Sequence, residues 1–152
     1  MTESKDDVAL IAYHANCIDG FTAAWVTNNF CRALDVRTVL LPVSYDKQST
    51  DKLLQKAEKL KGKLAYIYIV DFSVDLEVLD QLTEKAMRVT VIDHHKTAFE
   101  KYCPGIKVQP DSQFFGGVRG AHVILDNAHS GASLCYDYFS GGSGDKDVPW
   151  RS

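Results

Sequence analysis

Short, nearly continuous apolar runs alternate with amphipathic stretches along this chain, and that alternation predicts its elements. Residues 8–13 (VALIAY) form a run of strand length that stops at His14. Residues 18–31 follow as a helix with Phe21, Ala24 and Trp25 on one face, so Trp25 is read as core. Residues 36–41 (VRTVLL) predict a second strand, closed by Pro42, which cannot continue a central ladder. Residues 49–61 form a cleaner helix, with Leu53, Leu54, Ala57 and Leu60 at helical spacing, lysines on the other face and Gly62 as the stop. Residues 64–70 (LAYIYIV) are a third strand, ending at Asp71. Residues 75–87 are a third helix with Ser73 as its N-cap. Residues 89–92 and 121–125 are strands four and five, ending at Asp93 and Asp126, and residues 130–139 are the last helix.

Two stretches break the rhythm. Residues 97–120 carry Pro104, Gly105, Pro110 and an FFGG tetrapeptide, which predicts a long loop, either functional or mobile. The Gly/Ser/Asp-rich tail at 140–152 reads as a linker or frayed end, and residues 1–7 as a polar N-terminal tail. The rest alternates strand and helix, and its strands are apolar throughout. That pattern predicts an α/β domain, residues 1–152 in one unit, with a mostly parallel five-stranded sheet covered by helices on both faces.

Composition adds bounds. At 152 residues, with 45% hydrophobic and 24% charged residues, the chain has the ordinary globular mixture. The net charge of −3 comes without long single-sign runs, and no basic groove for a long nucleic acid is evident. The four scattered cysteines lack metal-finger spacing, and no apolar run is long enough to span a bilayer. The polar start is unlike a secretory signal, so a cytoplasmic setting is the expectation.

The chemistry lies in position. His14, Asp71, Asp93 and Asp126 each follow the last apolar residue of a predicted strand. In a parallel sheet those ends line one edge, where open α/β sheets bind ligands. His14 and Asp19 flank a strand-to-helix turn in HANCIDG, where Gly20 allows a tight turn or a close ligand. A plain helix cap by Asp19 is the competing reading. Asp93-His94-His95-Lys96 is the strongest local signal: carboxylate and imidazole together suit a divalent metal, and one imidazole could face a phosphate. The turn Ser130-Gly131-Ala132-Ser133 at a helix start suits a phosphate, although capping by Ser130 accounts for it equally well.

In that order, HANCIDG, IVD, VIDHHK and SGAS resemble the motifs of the DHH phosphoesterase superfamily, over about residues 8 to 140. Its members include RecJ-type exonucleases, nano-RNA oligoribonucleases, cyclic-dinucleotide phosphodiesterases and family II inorganic pyrophosphatases. The first motif is most similar to those of compact bacterial and phage members. The resemblance implies the DHH-type N-terminal domain alone and a site for Mn²⁺, one ion or two, with Mg²⁺ or Zn²⁺ as alternatives. It implies that His14 and Asp19 ligate one ion, Asp71 bridges, and His94 ligates the second. Asp93 is then a ligand or the group that orients the histidine, His95 is catalytic, and Lys96, Ser130, Gly131 and Ser133 approach the phosphate.

The implied substrate is a small nucleotide phosphodiester: a short oligonucleotide, or a cyclic nucleotide or dinucleotide. Two departures favour an alternative, a weakened relative that binds or sequesters a nucleotide or serves as an interaction module. Asn16 and Cys17 stand where the family usually has a second carboxylate, and no counterpart of its final Asp follows the last helix. A domain without its usual second domain is also expected to associate into homo-oligomers, with the 97–120 segment as a contact.

Overall fold

Six strands and five helices make up the computed structural model, which describes residues 7–141, alternating except where β5 leads directly into β6. In chain order they are β1 (Val8–His14), α1 (Ile18–Ala33), β2 (Arg37–Val43), α2 (Lys47–Leu60), β3 (Leu64–Val70), α3 (Leu76–Thr83), β4 (Arg88–Asp93), α4 (Lys96–Tyr102), β5 (Gln113–Val118), β6 (Ala121–Asp126) and α5 (Gly131–Ser140). The sheet order is β2-β1-β3-β4-β6-β5, parallel except for β5, which runs antiparallel to β6 at the edge. The α/β class and the largely parallel sheet are as the pattern predicts, with six strands where five were expected. The readings of the tail at 142–152 and of residues 1–6, including the unmatched final Asp, lie outside the described residues.

Strand alternation sends side chains to two cores. Leu10, Ile67, Ile69, Val91 and Leu125 face α2, α3 and α4, where Leu53, Leu79, Leu82 and Phe99 are fully or almost fully buried. Ile11, Tyr68, Val70, Ile92 and Ile124 face α1 and α5. The second layer lies close to the sheet because α1 presents small residues to it: Gly20, Ala23, Ala24, Thr27 and Cys31 are its buried positions. Thr27 is tolerated there because its hydroxyl donates to the Ala23 carbonyl at 2.8 Å.

Several expectations are corrected. Trp25 is not core: it is 57% exposed and Phe21 61%, because the Gly/Ala face of α1, not its large-residue face, meets the sheet. Pro42 does not end β2, which continues to Val43. The strand lies at the sheet edge, where a missing N–H costs no ladder bond. Residues 97–120 are not a structureless loop: they hold most of α4 and all of β5. In β5, alternate residues Phe114 and Val118 pack against the first core while Gln113 and Phe115 face outward. Ser73 is buried and is not the α3 N-cap, which is Asp75; α2 is capped by Asp46, whose carboxylate accepts from Ser49 N–H at 2.7 Å.

Candidate metal centre

The strand order reverses direction between β1, which continues to β2, and β3, which leads on to β4. A crevice opens at the carboxyl ends of such a pair. His14 ends β1, Asp71 follows β3 and Asp93 ends β4, so adjacent parallel strands deliver all three side chains to that crevice. Asp71 is fully buried and holds a left-handed backbone (φ 55°), with its N–H donating to the Ile92 carbonyl at 2.8 Å. A non-glycine residue in that region is uncommon and costs of order 1 kcal/mol, so the surrounding structure must impose it.

Two donor groups meet at Asp71. The first is Asp71, Asp93, His94 and His95; the second is His14, Cys17 and Asp71. His94 Nε2 lies 2.8 Å from Asp71 Oδ1 and 3.2 Å from Asp19 Oδ2. Asp93 Oδ1 lies 2.7 Å from His95 Nδ1 and accepts the His94 N–H at 2.8 Å. The Cys17 thiol donates to Asp71 Oδ2 at 3.6 Å, and His14 Nδ1 stands 3.8 Å from that same oxygen.

Among the described residues, two buried ligand atoms of the site have no hydrogen-bond partner, His14 Nδ1 and Asp93 Oδ2. Burying an imidazole nitrogen and a carboxylate oxygen unpaired is costly. A divalent cation in each donor group would satisfy them, so these sets of imidazole and carboxylate fit such ions.

Both imidazoles of the Asp-His-His run titrate above their usual 6.5: His94 chiefly through its bond to Asp71, and His95 chiefly through its bond to Asp93, in each case against the opposing effect of burial. Burial pulls Asp19 the other way, upward, but the N–H groups of Ala132 and Gly131 and the nearby His94 together hold it below the usual carboxylate range.

Those amide bonds tie Asp19 to α5. Its two oxygens accept from Gly131 and Ala132 N–H, each at 2.8 Å, so it caps α5 across more than a hundred residues of sequence. It sits beside His94 but outside both donor groups. The first turn of α5 therefore holds a protein carboxylate. Ser133 N–H donates to Ser130 Oγ at 3.1 Å, so the amides of Gly131, Ala132 and Ser133 are already engaged and the phosphate cradle read from this turn does not stand open. The side chains of Ser130, Ser133 and Lys96 remain at the exposed rim. Gly131 is required by proximity: a Cβ there would stand 2.6 Å from Asp71 Oδ1. Gly20 is required in the same way by the His14 carbonyl, not by a ligand.

Asp126 also reaches this edge but is saturated by Gln113 Nε2, Ala128 N–H and His129 Nδ1, each at 2.9 Å. Sequence reasoning overlooked Tyr45. Its ring stacks on Phe72 with centroids 4.2 Å apart, meets the His14 ring edge-on, and carries the Lys101 ammonium 5.1 Å from its centroid. Burial, with Asp93 nearby, pushes its phenol up to about 12. The available signal was its place just beyond β2, the one strand end whose following residues went unread.

No family model matches the sequence. A curated relative, the uncharacterized protein R106 of Acanthamoeba polyphaga mimivirus, is 28% identical over 100 residues, covering 62% of this chain and 23% of its own length. Three crystal structures share the fold. An uncharacterized protein from Helicobacter pylori G27 superposes with a TM-score of 0.63 at 13% identity, over 89% of this chain and 36% of its own. An exopolyphosphatase-related protein from Bacteroides fragilis gives 0.55 at 15% identity, over 91% and 40%. Exonuclease RecJ bound to manganese gives 0.54 at 16% identity, over 95% and 36%.

The chain shares its fold with these three structures. The chain spans about a quarter of the curated relative and well under half of each structure. Among the described residues no helix is long and apolar enough to cross a membrane.

Proposed function

We propose that the chain is a metal-dependent phosphoesterase that hydrolyses a small nucleotide phosphodiester, either a short oligonucleotide or a cyclic nucleotide or dinucleotide. The observation that carries this reading is the pair of buried, unpartnered ligand atoms, His14 Nδ1 and Asp93 Oδ2, on either side of a carboxylate common to both donor groups. The fold shared with an exopolyphosphatase-related protein and with an exonuclease bound to manganese supports it.

His14, Cys17 and Asp71 would hold one cation, and Asp71, Asp93 and His94 a second, with Mn²⁺ first and Mg²⁺ or Zn²⁺ as alternatives. Such ions supply positive charge for the phosphoryl oxygens and lower the pKa of bound water. The protein's own groups do the rest. Asp93 fixes the His95 ring through Nδ1, which leaves Nε2 to meet a phosphate oxygen or the departing oxygen. Asp19 anchors α5 so that Gly131 abuts Asp71, and Lys96 with the hydroxyls of Ser130 and Ser133 offers charge and donors at the rim.

The occupied carboxylate of Asp19 favours a second reading, a relative with weakened catalysis that binds a nucleotide without turning it over. One experiment separates the two: Mn²⁺-dependent release of mononucleotides from a dinucleotide panel, alongside calorimetric binding. Hydrolysis that falls by about a hundredfold or more in His94→Ala and His95→Ala is the expected result. Equal activity in wild type and both variants overturns the phosphoesterase reading, and tight binding without turnover selects the second.

A further inference from the structure

Beside the metal centre the antiparallel edge of the sheet forms a groove of about 630 Å³ that the proposed chemistry leaves unused. Its size is that of a small-molecule site, commonly about 300–1,000 Å³. The groove is built by register. On β6, His122, Ile124 and Asp126 share one face; opposite them on β5 stand Gly117, Phe115 and Gln113. The glycine opposite His122 contributes no side chain, which leaves the floor open. The third wall is α5, whose Leu134, Asp137 and Tyr138 fall on one face by their three- and four-residue spacing. Among the described residues no helix covers β5 on this side, and Phe115 is 61% exposed.

The groove begins at the carboxyl edge. Asp126, the β6 residue that closes it at that end, stands one position beyond the partner of Asp93 in the parallel ladder. His129, held by Asp126, is two residues from the Gly131 that touches Asp71. Groove and metal centre thus share the carboxyl edge of the sheet, and a ligand with a phosphate at the metal centre would reach the groove along that edge.

The lining selects that group. Two carboxylates, Asp126 and Asp137, and no lysine or arginine line the groove, so a second phosphate is repelled. Phe115 and Tyr138 offer aromatic faces suited to stacking on a nucleobase. The two carboxylates differ in one respect. Asp126 is consumed by Gln113, Ala128 and His129, whereas Asp137 has no such partner among the described residues. A carboxylate accepts two parallel hydrogen bonds. Guanine offers two adjacent donors, N1–H and the 2-amino group, on one edge; adenine, cytosine and uracil do not.

We infer that this groove is a nucleobase site selective for guanine, with Phe115 stacking on the ring and Asp137 receiving its N1–H and 2-amino donors. The inference rests on the phosphoesterase reading for the placement of the phosphate, but its test does not need turnover. The four nucleoside 5′-monophosphates are titrated into the metal-free protein, with chemical shifts and heat as readouts. GMP binds at least about tenfold more tightly than AMP, CMP or UMP, and the advantage disappears in Asp137→Asn. Phe115→Ala weakens all four, since stacking serves any base. Both side chains lie at the surface, and thermal melts of the two variants verify that they fold. His94→Ala leaves the base preference intact, which separates this site from the catalytic reading: loss of hydrolysis with retained guanine preference strikes only the latter. Equal binding of all four nucleotides, or guanine preference unchanged in Asp137→Asn, overturns the inference. So does a dimer of wild type that Phe115→Ala dissociates while nucleotide binding stays the same, because the groove is then an interface between copies.

Discussion

Gly131 shows how little slack the site has. Adding one methyl group places it 2.6 Å from Asp71 Oδ1, against a carboxylate that is fully buried and cannot step aside. Gly131→Ala is expected to cost about 1–3 kcal/mol in the metal-free protein and to weaken Mn²⁺ binding in calorimetry, because α5 or Asp71 must shift. Asp19 makes a contrasting case. If it is chiefly a cap, Asp19→Asn keeps an acceptor but loses the charge that faces the helix N-terminus. The expected cost is about 1 kcal/mol, or roughly 2–4 °C in the melting temperature of the metal-free chain. An unchanged metal-free melt with lost metal binding would assign Asp19 to the cation instead.

The histidines set the pH dependence. In the metal-free protein Asp71 and Asp93 stabilise charged imidazoles, so that contribution is complete below the ordinary value of 6.5 and is lost as pH rises through the raised folded values. A cation needs His94 neutral, so its affinity runs the opposite way. Mn²⁺ binding followed from about pH 6 to 8.5 is expected to tighten steadily, and the melting gap between loaded and metal-free protein to widen. A flat affinity across that range would remove His94 from the ligand set.

At the scale of elements, what could be read depended on whether the information was local. The strand ends were legible because buried parallel strands are apolar until the chain turns, so the polar residues His14, Asp71 and Asp93 mark the edge unaided. Helix α1 was misread because its packing face is made of glycine and alanine, which carry little hydrophobic signal, while its large apolar residues stay in solvent. Trp25→Ser is accordingly expected to change unfolding free energy by no more than about 0.5 kcal/mol, and Leu53→Ala, fully buried on the inner face of α2, to cost about 2–5 kcal/mol. Denaturant unfolding checks both. Strand β5 escaped notice because two adjacent glycines and a half-exposed alternation resemble a loop, and because its partner β6 follows through a two-residue turn that only pairing identifies.

At the scale of the molecule, the sheet order decides which polar residues meet. The reversal between β1 and β3 puts His14 next to Asp71, and β4 adds the histidines, whereas Asp126, one strand further on, is left to its own pair with His129. Nothing in the sequence shows that Asp19 reaches across to α5, since that bond depends on the assembled fold. A chain stabilised by its ligand should melt higher when loaded: at Mn²⁺ near a hundred times its dissociation constant the gain is about 2.7 kcal/mol, or roughly 5–10 °C by scanning calorimetry. No shift on adding Mn²⁺, Mg²⁺ or Zn²⁺ would leave the two bare ligand atoms without an explanation.

The bond from Asp19 to the amides of Gly131 and Ala132 has a consequence for biosynthesis. A ribosome delivers residues from the amino end, so His14, Asp71 and the two histidines emerge well before the helix that locks them. Until α5 arrives, Asp19 lacks the two amides that hold it and Asp71 lacks the Gly131 backbone beside it. On the metal-dependent reading proposed above, a cation is then taken up only after α5 has been made.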